Sequence, residues 1–516
     1  MPSRHDLRRR VLILTGLPLI ALIAAGVQAE VRLPGLFSDH MVLQQRKPVP
    51  VWGWADPGEP VAVTFRGKTV RTTAQGGKWK VTLPAQKAGG PDVLTVQGKN
   101  RIEVQDVLIG EVWIASGQSN MEWPLNRSYE AEADIQNSAN PQIRLFTVPK
   151  LKSPEPVDDV KAAWLVCGPD AVKNFSAVAY YFGRDLQRAR NVPVGLIHTS
   201  WGGSPAEGWM RHGVLAANPE YQRDILDPWP EQDRKFREAV AAWDKETEEL
   251  KQQGKQQTRG RPWGIWRPSE LYNGMIAPLI PYAVAGAIWY QGESNAGRAH
   301  QYRHLFPNLI QNWRDDWGRK DLPFLAVQLA PWDRNKKRSP EEIAAFLVES
   351  DWAELREAQL MASEAMKNVG LAIITDVGDK DDIHPTKKEP VGARLALLAR
   401  GIAYGERLIW SGPVYRGMKL KKGKATLSFN HVGGGLEARG GKLRGFAMAG
   451  EDGKFLWANA EIDGKTVVVS HAFIDNPVAV RYGWADYPIV NLFNREGLPA
   501  SPFRTDDFPM VSAPKD

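Results

Sequence analysis

Val112-Trp113-Ile114-Ala115-Ser116-Gly117-Gln118-Ser119-Asn120-Met121 is the stretch whose reading decides the fold. An apolar run ends abruptly in small and polar residues, as at the C-terminal edge of a buried strand. A strand that delivers a serine there is one way an α/β fold presents a nucleophile. A serine acts as one only when a base and an oxyanion hole are arranged around it. Gly-Gln-Ser-Asn is equally a good tight turn, so the reading depends on the rest of the chain.

Outward from this stretch, residues 106–404 alternate strands with helices. Apolar strands are legible at 107–115, 194–199, 284–290, 323–329 and 369–375, and helical patterns at 177–188, 299–317 and 352–365. That alternation predicts an α/β fold, a mostly parallel sheet with helices on both faces. Ligands of such sheets bind beyond the carboxyl ends of the strands. Residues 227–267 interrupt the pattern with a charged helix and a basic, Gly-containing loop, an insertion placed to overhang the site. Short alternating runs separated by Gly and Pro clusters predict β-sandwich-like regions on either side, over 30–105 and 405–516.

Residues 1–29 read as a secretory signal peptide cut after Ala29. Arg4, Arg8, Arg9 and Arg10 form the basic region, 11–26 is apolar, and Val27-Gln28-Ala29 suits the peptidase. The apolar run is short of the ~20 residues of a membrane-spanning helix. The mature chain is therefore expected in the periplasm or secreted, with no membrane span.

The 516 residues carry a formal net charge of +7, and setting aside the four Arg and one Asp of the leader lowers it by 3. This ordinary balance, without a clustered basic face, excludes nucleic acid as the expected partner. Cys167 is the only cysteine, so neither an intramolecular disulfide nor a cysteine metal site can form, and it reads as a small buried hydrophobe. The 20 Trp, several near turns (Trp52, Trp54, Trp123, Trp201, Trp209, Trp263, Trp266), suit a surface on which sugar rings stack.

Each strand end contributes chemistry. After the serine comes Thr199-Ser200-Trp201-Gly202-Gly203-Ser204, whose paired glycines let backbone N–H groups approach a substrate closely. Next is Trp289-Tyr290-Gln291-Gly292-Glu293-Ser294-Asn295, where Gln291 or Asn295 offers a side-chain amide to the same oxyanion. Last is Asp381-Asp382-Ile383-His384-Pro385, in which an acid can hold the His384 imidazole in one tautomer. Thr386 and Glu389 match a capping box for the helix that follows.

Gly117-Gln118-Ser119-Asn120-Met121, Ser200-Trp201-Gly202-Gly203, Leu271-Tyr272-Asn273-Gly274-Met275-Ile276, the stretch from Trp289 to Asn295, Asp382-Ile383-His384-Pro385 and residues 494–506 together resemble the sialate O-acetylesterase family of SGNH-type hydrolases. The resemblance implies a three-layer α/β/α domain and an esterase that removes O-acetyl groups from carbohydrates without metal or cofactor. It implies Ser119 as nucleophile and His384 as base and acid. The Ser119 N–H, a glycine of Gly202-Gly203 and the Gln291 side chain would form the oxyanion hole. The SGNH pattern puts the acid three residues before the histidine, at Asp381, which is favoured, and Asp382 stands beside it. SGNH enzymes carry Gly-x-Asn in their third block; here Asn295 falls one position late, so the amide is Gln291 or Asn295. The family name points to O-acetylated sialic acid, and similar bacterial esterases act on acetylated plant polysaccharides such as xylan or xyloglucan. A non-catalytic carbohydrate-binding protein on the same scaffold and a lipase-like esterase are the alternatives.

Overall fold

One strand organises the chain. Arg101–Gly117 runs for 17 residues and belongs to two sheets. Its first half pairs antiparallel with Gly89–Gln97, and its second half lies at the centre of the parallel sheet. The change of sheet occurs at a bulge. The register with Gly89–Gln97 slips between Val104 and Val107, and Asp106 takes a left-handed φ of 54°. Arg144 (2.6 Å) and His40 (2.7 Å) pin the Asp106 carboxylate. The Arg144 hydrogen bond, aided by His40, holds that carboxyl below its ordinary pKa against the opposing effect of burial. The computed structural model describes residues 30–335, 338–347 and 349–514, and the expected leader at 1–29 lies outside them.

The central sheet has the order Val369–Ala372, Phe324–Val327, Gly286–Tyr290, Arg101–Gly117, Val194–Ser200, Asn140–Thr147, Leu165–Cys167. All neighbours are parallel except the last pair. Successive strand side chains point to opposite faces, and both faces are buried. Val112, Ile114, Ala287 and Trp289 join one core with the helices Ala299–Asp316 and Asp351–Ala365. Trp113, Ala115, Ile288 and Tyr290 join the other with Ala177–Arg190 and Glu389–Leu398. Burial on both sides is why these strands read as unbroken apolar runs rather than alternating ones. The result is the expected α/β fold in three layers.

The strand Asn140–Thr147 was not expected from the sequence, because Pro141 and Arg144 break its apolar run. Arg144 is nevertheless buried, and the Asp106 ion pair makes that possible. The capping box at Thr386 and Glu389 does not form. Lys388 is the residue before the helix, no side chain caps it, and Glu389 pairs with Arg184 instead. Cys167 is buried, and burial pushes its thiol up to about 12.

Two four-stranded sheets near the C-terminus share a third core, with Leu427, Val467 and Val469 of one facing Met448, Val480 and Phe503 of the other. The helix Trp229–Gln252 buries no side chain and is laced by pairs such as Arg234–Glu238. Among the described residues no helix is long and apolar enough to cross a membrane.

Candidate active site

The central strand ends at Gly117, whose φ of 135° and closeness to the Tyr290 carbonyl leave no room for a side chain. The chain turns there into the short helix Ser119–Glu122. This sharp exit lifts Ser119 above the sheet edge, half-buried, into a cleft of about 610 Å³. His384 arrives from the loop after the last strand. Its Nε2 lies 2.9 Å from Ser119 Oγ, although 265 residues separate them. The imidazole stacks on Trp123 at 5.4 Å between ring centres and 19° between planes. Burial lowers the His384 pKa; Lys388 and Arg127 push the same way, and Asp382 opposes them.

The two candidate acids separate clearly. Asp382 Oδ1 lies 3.4 Å from His384 Nδ1 and accepts the His384 main-chain N–H at 2.9 Å. Asp381 turns away and pairs with Lys380. The reason is an Asx turn: Asp379 Oδ1 accepts the N–H groups of Asp381 and Asp382 at 2.9 and 3.3 Å, which aims the first outward and the second at the ring. The preference for Asp381 does not match this geometry.

The candidate amides also sort themselves. Gln291 is fully buried. Its Nε2 donates to Asn295 Oδ1 at 2.6 Å and to the Ser204 carbonyl at 3.3 Å, and its Oε1 accepts from the Tyr302 hydroxyl at 2.9 Å. Asn295 is as deeply buried, donating to Glu207 at 2.9 Å and accepting the Ala206 N–H. Neither side chain lines the cleft. Both hold the loops together from behind, because the helix Ala299–Asp316 supplies Tyr302 beneath them.

Gly202 and Gly203 do line the cleft. The Gly202 N–H is engaged, donating to Glu122 Oε2 at 2.6 Å, and Lys150 holds the other carboxylate oxygen of Glu122 at 2.5 Å. No acceptor is recorded for the N–H groups of Ser119 and Gly203 among the described residues. Glu122 and Lys150 escaped the sequence reading. One signal was available: Glu122 stands three residues after Ser119, on the same side of a helical turn.

Trp123, Trp201 and Trp263 supply aromatic walls. Trp263 comes from the segment after the exposed helix and is 79% exposed at the rim. Lys152 sits over Trp266 at 4.1 Å, and Trp266 meets Trp201 edge-on at 5.4 Å.

Residues 258–397 match the family model described as SASA, carbohydrate esterase, sialic acid-specific acetylesterase. The mouse sialate O-acetylesterase is 30% identical over 513 residues, 91% of this chain and 92% of the relative. The human sialate O-acetylesterase is 29% identical over 532 residues, 94% of this chain and 95% of the relative. Among solved structures, a carbohydrate acetylesterase from Xanthomonas citri is 40% identical, superposes with a TM-score of 0.79, and covers 93% of this chain and 100% of its own.

Proposed function

The chain belongs to the sialate O-acetylesterase family, and on that premise we propose that it hydrolyses O-acetyl esters of sugars through an acetyl-enzyme on Ser119. The 2.9 Å contact between Ser119 Oγ and His384 Nε2 carries the reading. His384 takes the hydroxyl proton as Oγ attacks the acetyl carbonyl, then gives it to the sugar oxygen as the acyl C–O bond breaks, so the sugar leaves with a free hydroxyl. Water attacks the acetyl-enzyme with the same base, releasing acetate and restoring Ser119. Asp382, 3.4 Å from Nδ1, orients the imidazole and offsets the positive charge that forms on it. The N–H groups of Ser119 and Gly203, which have no acceptor among the described residues, would receive the oxyanion. That of Gly202 joins them only when Glu122 releases it.

Sugars present apolar faces and hydroxyl edges. Trp123, Trp201 and Trp263 suit the first, and Glu122, Arg127 and Lys150 the second. The exposed Trp263 at the rim favours a substrate longer than one sugar, such as acetylated xylan or xyloglucan, over a single O-acetylated sialic acid. With the leader removed, the enzyme works in the periplasm or outside the cell.

Acetate release should be measured from O-acetylated sialosides, xylan and xyloglucan, beside p-nitrophenyl acetate. Release from at least one sugar substrate with higher kcat/KM than from the nitrophenyl ester is expected. Hydrolysis of the nitrophenyl ester alone would overturn the assignment to sugars.

A further inference from the structure

Beneath the catalytic pair lies a buried polar cluster that the mechanism above does not use. Asn120, directly after the serine, is fully buried, and its side chain makes three hydrogen bonds that engage both N–H groups and the carbonyl oxygen. Its Nδ2 donates to Glu293 Oε1 at 2.6 Å and to the Ile383 carbonyl at 3.0 Å. Its Oδ1 accepts from Lys388 Nζ. Ile383 directly precedes His384, so a single amide ties the serine turn to the histidine loop. The amide cannot be reversed. While Lys388 is charged and Glu293 ionised, the ammonium only donates and the carboxylate and carbonyl only accept, so each end of Asn120 has one permitted place.

Lys388 is an expensive residue to put there. Its side chain is 1% exposed, and Asn120, a neutral group, is its recorded hydrogen-bond partner. The groups that face it are Glu293, Asp382 and the rings of Tyr290 and Trp123, whose centres lie 5.4 and 5.8 Å from Nζ. Burial drives Lys388 down to about 7, with Glu293 and Asp382 opposing. Glu293 is itself raised by burial, and its Oε2 has no hydrogen-bond partner among the described residues. A methionine or leucine would fill the same space without desolvating a charge, so the charge calls for a role.

We propose that Lys388, acting through Asn120 and held by Glu293, is a positioning residue that fixes His384 in register with Ser119. The ammonium locks the amide; the amide sets the carbonyl before the histidine; that carbonyl sets where Nε2 falls over the serine oxygen. This inference rests on Ser119 and His384 being the reacting pair.

The charge leaves a signature that a packing role would not. A cation near the imidazole favours its neutral form, so Lys388 lowers the pH at which His384 becomes a competent base. Lys388→Met is therefore expected to move the acid limb of the kcat/KM profile to higher pH. It should also lower kcat by roughly ten- to a hundredfold through misplacement of the base, with KM little changed. Glu293→Gln keeps the hydrogen bond to Asn120 but weakens the hold on the ammonium. Its kcat should fall by less than that of Lys388→Met, and its acid limb should not follow that of Lys388→Met to higher pH, because the lost charge is negative. Asn120→Leu should cost kcat as Lys388→Met does, and the double variant should be no worse than the worse single one. Melting curves keep folding separate from chemistry, and Lys388→Arg preserves the charge if Lys388→Met does not fold. An unmoved acid limb in Lys388→Met, or full additivity in the double variant, overturns the network. Those results leave the catalytic pair standing, whereas an active Ser119→Ala enzyme would remove the pair itself.

Discussion

Two neighbouring strand ends are built from almost the same residues and do opposite things. Gly117-Gln118-Ser119-Asn120 and Gln291-Gly292-Glu293-Ser294-Asn295 leave adjacent strands of one sheet, joined by a hydrogen bond from the Gln118 N–H to the Tyr290 carbonyl at 2.9 Å. The first projects a hydroxyl into the cleft. The second sinks its two amides into the interior and spends them on Tyr302, Ser204, Ala206 and Glu207. Residue type does not separate them. What separates them is what waits underneath: a histidine loop above the first turn, and a helix carrying a tyrosine below the second. A polar side chain at a strand end is available for chemistry only if the fold has not already satisfied it.

The sharpest way to break that contrast is to remove the serine from each turn. Ser119→Ala should lower turnover roughly 10⁴-fold or more. Ser294→Ala, at the exposed cleft edge of the neighbouring turn where among the described residues its hydroxyl bonds the Gly203 carbonyl at 3.0 Å, should keep most of it. Acetate release by both, at equal folded concentration, decides the point; comparable losses would erase the distinction.

The loop facing the serine turn gives the next largest effect. Asp382→Asn should slow the reaction roughly 10²-fold by losing the carboxylate that steadies the imidazolium. Asp381→Asn should change it by no more than about twofold, since its exposed pair with Lys380 contributes little. Equal damage from the two variants would restore Asp381 to the site.

The smallest effect on rate, and the most instructive, is expected from Gln291→Ala. If its amide served the oxyanion, kcat would fall by about 10²–10³. Buried, with both amide N–H groups engaged, it should instead leave kcat within a few-fold and cost about 1–3 kcal/mol of stability by orphaning the Tyr302 hydroxyl. Denaturant midpoints read against kcat separate the two uses.

The sheet and its helices were legible because burial on both faces writes unbroken apolar runs between amphipathic helices. The meeting of Ser119 and His384 was legible for a related reason: each follows such a run, and strand ends converge on one edge. Arg144 hid its strand because its charge is neutralised by Asp106, 38 positions away, and no local pattern records that. The same blindness explains Gln291, Asn295 and Gly202. Their availability is set by Tyr302, Glu207 and Glu122, and a window around each residue contains the competing partner only by chance. Asp382 over Asp381 turned on a single Asx turn from Asp379, a local feature that a motif offset passes over.

The bulge at Asp106 makes the long central strand a lever with a fixed pivot. On one side of it the strand is ordinary β-sheet furniture; on the other it carries, about 36 Å on if fully extended, the turn that exposes the serine. A chimera that replaced the N-terminal sheet would inherit this constraint. The graft would have to reproduce the angle at Asp106, and the Arg144 and His40 contacts that clamp it, before the serine could point where it does. The N-terminal sheet is in that sense a handle, and the clamp at Asp106 the pin, of the turn that carries Ser119.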